Sequence, residues 1–241
     1  AVNLGGAMMS KLYGDLDPRN IATYSMGDAA KYLRIPAATI RSWTVGRRYP
    51  KADGEGFFQP LIPIPERKPR LLSFTNLVEV HVLRAIRQHH HIDLAKVRNA
   101  LDYIEANLEV SHPLAHEEFR TDGVDLFIKR YGTLVNASTA GQTELKASLT
   151  DHLARIEPDD TGLAIKLYPF TRAHEENNPR IVVIDPRIAF GRLVIESTGI
   201  PTSVLAERYW AGDSMDELAE DYRCDRLKIE EAIRCESPVA A

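Results

Sequence analysis

Thr39, Arg41 and Ser42 stand close together in this 241-residue chain, and Arg47 and Arg48 follow directly. Hydroxyl side chains exchange hydrogen bonds with base edges, and guanidinium forks hold phosphate oxygens. The chain has no phosphate loop, dinucleotide glycine motif or nucleophile elbow, so the group points to nucleic-acid contact rather than bond-making chemistry. Arg67, Lys68 and Arg70 form a second basic group, directly before Leu71-Leu72-Ser73-Phe74. Three successive histidines, His89 to His91, invite a metal reading. Neighbours on a helix point in different directions, however, and a helix C-terminus favours cations in any case. His112 and His116 have a spacing that zinc helices use, but Pro113 lies between them and no His-Glu-x-x-His motif accompanies them. No metal and no cofactor is expected. The carboxylates are scattered over capped surface helices instead of converging as a nuclease requires, so no enzymatic activity is expected.

The basic groups need elements to position them. Ser25 is placed to cap a helix with Met26, Ala29, Ala30 and Leu33 on one side. Arg34-Ile35-Pro36 breaks that pattern, and Pro36 suits the first turn of a second helix. That helix buries Ile40 and Trp43, turns Thr39, Arg41 and Ser42 outward, and ends at Gly46. The pair reads as a helix-turn-helix whose outer face can enter a major groove. Tyr49 to Pro69 is rich in Gly and Pro, which excludes a long helix and favours a loop or a β-ribbon wing carrying Lys68 and Arg70 along the phosphate backbone. Thr75 then caps a third helix with Leu77, Val78, Val82, Leu83 and Ile86. Asp93 opens a fourth, whose Leu94, Val97, Leu101, Ile104 and Leu108 form a short a/d seam. A dimer contact and internal packing both account for that seam.

Charge divides the chain. Residues 23–110 hold 13 Lys and Arg against 9 Asp and Glu, whereas residues 111–241 hold 15 against 23. A basic front and an acidic back suit a protein that meets nucleic acid at one end and a basic partner at the other; plain solubility also explains acidic helices. No run of ~18 apolar residues is present to span a membrane. Ala1 to Ala7 have neither the basic start nor the apolar core of a signal peptide, and read as an addition ahead of Met8 or Met9. Cys224 and Cys235 match no zinc or disulfide pattern and read as reduced thiols in a cytoplasmic protein.

In the middle, Val124 to Ile128 and Leu163 to Tyr168 alternate like strands, and Glu144 to Ile156 looks helical. Beyond it, Ile181 to Ile184 reads as a buried strand, Asp185-Pro186 as a turn, and Ile188 to Ile195 as a hairpin-like run turning at Gly191. Three short helices follow: Ser203 to Ala211, one opened by Asp213 or Ser214 with Glu217 completing a capping box, and Asp225 to Arg234. This unit resembles a second helix-turn-helix, but residues 201–236 hold 5 Lys and Arg against 10 Asp and Glu. Such a surface repels phosphates and is assigned to protein contact. Tyr209, Trp210, Asp216, Glu217 and Glu220 are the candidate contact residues, with helix packing the stronger expectation for the two aromatics. The fold expected is mainly α with small β elements. It comprises a winged helix-turn-helix over 23–110, a small α+β linker over 111–180, and a hairpin plus three helices over 181–236.

Residues 23–110 resemble a MerR-type winged helix-turn-helix through Asp28-Ala29-Ala30, Thr39-Ile40-Arg41-Ser42-Trp43 and Arg70-Leu71-Leu72-Ser73-Phe74. The resemblance implies DNA-backbone contacts at Arg41 and Arg70. The front half carries no cysteine set for metal or redox sensing, and no drug-binding domain is evident. Residues 181–235 are similar to a small domain found in antitoxins, through Ile184-Asp185-Pro186, Phe190-Gly191-Arg192, Thr198-Gly199-Ile200-Pro201 and Ala211-Gly212-Asp213-Ser214. Many members have Gly-Thr-Arg-Ile-Pro where this chain has Ser197-Thr198-Gly199-Ile200-Pro201, so one arginine is replaced by glycine. The combination is similar to a VapB-type antitoxin. It implies a homodimer that neutralises a PIN-like ribonuclease toxin and represses its own operon by binding operator DNA. A stand-alone MerR-like transcription regulator is the alternative.

Overall fold

The computed structural model describes residues 16–51, 54–88, 94–135, 137–172 and 178–237. Helix α1 is Met26–Leu33, opened by a capping box in which Ser25 and Asp28 satisfy each other's backbone N–H. Helix α2 is Ala37–Thr44, with Pro36 at its N-cap. Strands β1, Arg47–Lys51, and β2, Gly54–Phe58, form an antiparallel ribbon, and β3, Glu66–Arg67, pairs with β4, Arg70–Leu71, in a smaller one. Helices α3, Phe74–Gln88, α4, Leu94–Leu108, α5, Val124–Val135, and α6, Thr139–Leu153, follow. Then come strands β5, Ile156–Pro158, β6, Ala164–Leu167, β7, Val182–Ile184, and β8, Leu193–Ile195. The chain ends in helices α7, Thr202–Ala211, α8, Met215–Tyr222, and α9, Arg226–Glu236.

These elements form two compact units that interleave along the sequence. One takes residues 1–34, 65–74 and 166–241, and the other 35–64 and 75–165. Helix α1 therefore belongs to the first unit and α2 to the second.

The second unit is built on α3, whose Leu77, Val78, Val80, Val82, Leu83, Ala85 and Ile86 are all buried together with Asn76, Glu79 and His81. Over residues 74–83 the helix is buried on every side, as a helix at the centre of its surroundings is. It starts at Phe74, so Thr75 lies inside the helix instead of capping it. Helix α4 packs on α5, and its Leu94, Val97, Leu101 and Ile104 are buried within the single chain. The a/d seam is thus covered from inside, with Leu108 half-buried at its end. Residues 124–128 are helical, not extended. Val124, Phe127, Ile128 and Tyr131 recur at three and four and are all buried, and five residues of alternation are too few to separate the two periods. Phe127 stacks on Tyr131 with centroids 5.6 Å apart.

Within this unit His81 and His152 are buried side by side, ring centroids 4.9 Å apart. His81 Nε2 donates to the His152 carbonyl at 3.1 Å, and His152 Nδ1 donates to the Ser148 carbonyl at 2.9 Å. Burial, with His152, Arg84 and Arg155 close by, pushes the His81 pKa well below its usual value. His112 shifts the other way because it hydrogen-bonds Glu79 at 3.0 Å. A base whose folded pKa is depressed contributes stability above its unfolded value, ~6.5, and loses it as pH falls. His112 contributes below that value and loses its share as pH rises through its folded pKa. Acidification from pH 6.5 to 5.5 is therefore expected to cost up to about 1 kcal/mol through His81. Thermal melts across that range should show His81→Gln losing less stability than the parent chain; parallel curves would refute the assignment.

In the first unit β7 and β8 pair antiparallel, with Val183 opposite Val194, and Ile184 also pairs with Leu167 of β6. The predicted strand at 181–184 is present, while the turn of the hairpin spans 185–192 instead of lying at Gly191 alone. Helices α7, α8 and α9 enclose Ile195, Leu205, Ala206, Leu218, Ile229, Ala232 and Ile233. Gly212 ends α7 in the left-handed region, Ser214 and Glu217 form the capping box of α8, and Asp225 caps α9. Helix α1 packs on α9. Lys31 pairs with the buried Glu236, Arg34 donates to the Arg234 carbonyl at 3.1 Å, and Tyr24 donates to the Gly191 carbonyl at 3.0 Å.

Candidate functional site

Helix α2 and the β1–β2 ribbon carry five of the seven predicted nucleic-acid contacts, on a frame built within one unit. Ile40 and Trp43 are buried, which leaves Arg41 exposed and Thr39 and Ser42 half-buried. The Arg41 side chain has no hydrogen-bond or ion-pair partner among the described residues. The Trp43 carbonyl accepts from Leu61 N at 2.7 Å and from Ile62 N at 3.0 Å, which draws the chain after the ribbon back onto the end of α2. Arg87 lies over the Trp43 ring at 5.8 Å from its centroid.

The helix stops at Thr44, not at Gly46. Gly46 instead makes the turn into β1, with φ +86, and a Cβ there would meet the Phe58 carbonyl oxygen at 2.3 Å. Gly46→Ala should therefore cost about 1–3 kcal/mol through strain and displaced backbone. Gly54, at the far end of the ribbon, has φ +128 but open space around it. Gly46→Ala should melt several degrees below Gly54→Ala, and equal melting temperatures would show that the close approach is not tight.

Arg47 and Arg48 sit in β1, opposite Phe58 and Phe57. Successive strand residues face opposite ways, so the two arginines occupy different faces of the ribbon. Arg48 pairs with Glu55 at 3.0 Å, both side chains largely exposed, and such a surface pair yields readily to a phosphate. Arg47 is exposed and unpaired among the described residues. The base of the ribbon is fixed by a residue that local sequence pattern did not reveal. Arg98 of α4 lies over the Phe58 ring at 5.1 Å and donates to the carbonyls of Gln59 and Pro60. Nothing short-range links positions 58 and 98.

Lys68 and Arg70 belong to the other unit, on the turn and second strand of the β3–β4 ribbon, and both are exposed. His89 to His91 and Asp93 lie outside the described residues. His112 and His116 flank a 3-10 turn, Pro113–Ala115. Among the described residues no group of three or more His, Cys, Asp or Glu is placed to hold a metal ion, and no helix is long and apolar enough to cross a membrane.

The acidic helical module presents the second candidate surface. Tyr209 is 39% exposed and Trp210 57%, so neither packs into the helical core as expected. Asp216 pairs with Arg226 at 2.7 Å, and Glu217 is held by Ser214, whose backbone and hydroxyl hydrogen bonds lower its pKa. The Glu220 side chain is exposed and has no partner among the described residues. Burial pushes the Cys235 thiol up to about 12 and raises Cys224 as well, which makes both poor nucleophiles.

Residues 182–234, the hairpin and three helices, match the family described as "Protein of unknown function (DUF433)". "Putative antitoxin VapB45" of Mycobacterium tuberculosis is 27% identical over 89% of this chain and 93% of its own length. "Uncharacterized protein Rv2308" of the same organism is 20% identical over 87% of this chain and 88% of its own. The X-ray crystal structure of Rv2018 from Mycobacterium tuberculosis superposes with a TM-score of 0.65 and 24% identity, covering 88% of this chain and 98% of that one. The chain thus resembles a VapB-type antitoxin over most of its length, and its mainly helical fold with small antiparallel sheets is shared with a solved structure.

Proposed function

We propose that this chain is the non-enzymatic antitoxin of a type II toxin–antitoxin pair, which neutralises a PIN-like ribonuclease and represses its own operon. The observation that carries the reading is the likeness to an antitoxin along nearly the whole chain. The exposed arginines of α2 and the ribbon support the DNA half of it. In this reading α2 is the recognition helix, with Thr39 and Ser42 against the major groove and Arg41 on the phosphates beside it. Arg47 and Arg48 on the β1–β2 ribbon hold phosphates, and Lys68 and Arg70 are phosphate contacts of the other unit. A two-fold operator would be read by a homodimer. Because Leu94, Val97, Leu101 and Ile104 are covered within one chain, the dimer would use another surface. The acidic helical module covers the toxin, whose RNA-binding surface must be basic to hold phosphates.

The test is co-expression of the full chain with the neighbouring reading frame, followed by sizing and titration against promoter DNA. The antitoxin reading expects a small protein to elute with the chain, and the complex to bind the promoter. A chain that binds its promoter but takes up no partner would be the stand-alone regulator instead.

A further inference from the structure

Helix α7 ends in an exposed tryptophan next to an exposed carboxylate. Glu207 and Trp210 are three residues apart on α7, a spacing that puts two side chains on one face of a helix, and both are exposed. Neither side chain has a hydrogen-bond, ion-pair or ring partner among the described residues. Gly212, just beyond, has open space around it.

The same module shows what such a pair accepts. The Arg208 guanidinium lies 5.4 Å from the Tyr222 ring centroid while donating to Asp213 and Asp221 at 2.6 Å each. There an aromatic face and carboxylates clasp an arginine from within the chain. Around Trp210 the face and the carboxylate are present, but among the described residues no cation is held against them. A partner would have to displace Arg226 from Asp216 and the cap from Glu217, whereas the Glu207 side chain has no such contact to give up.

Resting on the antitoxin reading, we infer that Trp210 and Glu207 form a clasp for an arginine on a basic segment of the toxin, the guanidinium stacking on the indole and pairing with the carboxylate. The excess of acidic residues in 201–236 draws in a basic segment, and the planar guanidinium suits the clasp better than a lysine ammonium.

The test measures the affinity of the full chain for the protein encoded by the adjacent reading frame. Trp210→Ala is expected to weaken it roughly tenfold or more. Glu207→Gln should weaken it about threefold at low salt and less at high salt. Asp151→Asn, an exposed acid on α6, should leave it unchanged. All three variants should melt with the parent chain. Trp43→Phe leaves Trp210 as the fluorophore, whose emission should change on binding. Binding by the parent chain that Trp210→Ala and Glu207→Gln leave intact would overturn the clasp while the antitoxin reading stands. No binding by the parent chain would overturn the antitoxin reading, and the clasp with it.

Discussion

Replacing Arg41 and Arg47 together with alanine is expected to weaken promoter binding by roughly fifty- to a hundredfold near 0.1 M salt. Each phosphate contact on duplex DNA releases about 0.9 counterion, so the slope of log affinity against log salt should fall by roughly two. Both side chains are exposed and unpaired among the described residues, and the underlying core of Ile40 and Trp43 is untouched, so the melting temperature should stay in place. Loss should be similar on specific and unrelated duplexes, because phosphate contacts position the protein without reading sequence. An unchanged slope would remove these arginines from the interface, and a collapse of the fold would show that they are structural.

Arg172→Met is expected to destabilise the unit that holds the acidic helices. Glu231 of α9 is buried, and Arg172 reaches it with Nη2 at 2.8 Å and Nε at 3.1 Å. Burial raises the Glu231 pKa, but hydrogen bonds from Arg172 and Thr171 and the charge of Arg234 overcome it, and the carboxyl stays below its usual range. Without Arg172 a buried carboxylate loses its main partner. Removing one half of a buried pair costs about 3–5 kcal/mol, and here about 2–4, since Arg234 remains 3.4 Å away and Arg172 is partly exposed. In a chain of this size that is roughly 5–10 °C in melting temperature. The double variant Arg172→Met with Glu231→Leu should recover most of the loss, because it removes the stranded charge. A single variant that melts with the parent chain would mean the pair contributes nothing.

Local chemistry made much of this fold readable. The cap at Ser25, the helix end at Gly212 and the capping box completed by Glu217 are each decided by neighbours within four residues and are found where the sequence puts them. Of Asp213 and Ser214 it is Ser214 that caps, and Asp225, expected as the first residue of the last helix, caps it instead. The errors fall where local signals compete. Val124 to Ile128 fits both periods over so short a run, and Gly46 looks like a helix end but serves a ribbon turn. Long-range partners left no trace in the sequence pattern. Arg98 beneath Phe58, Lys31 against Glu236 and Tyr24 on Gly191 join positions 40 to 205 residues apart. The same limit hid the interleaving of the two units. It also hid the exposure of Trp210, whose position three to four residues from Ala206 and Glu207 fits packing and display equally well.

The most direct measurement is the ribonuclease activity of the neighbouring reading frame's product, assayed alone and with increasing amounts of this chain. The antitoxin account predicts RNA cleavage by the product alone, abolished once the chain reaches a fixed stoichiometric ratio. Cleavage that continues unchanged in the presence of excess chain would contradict it.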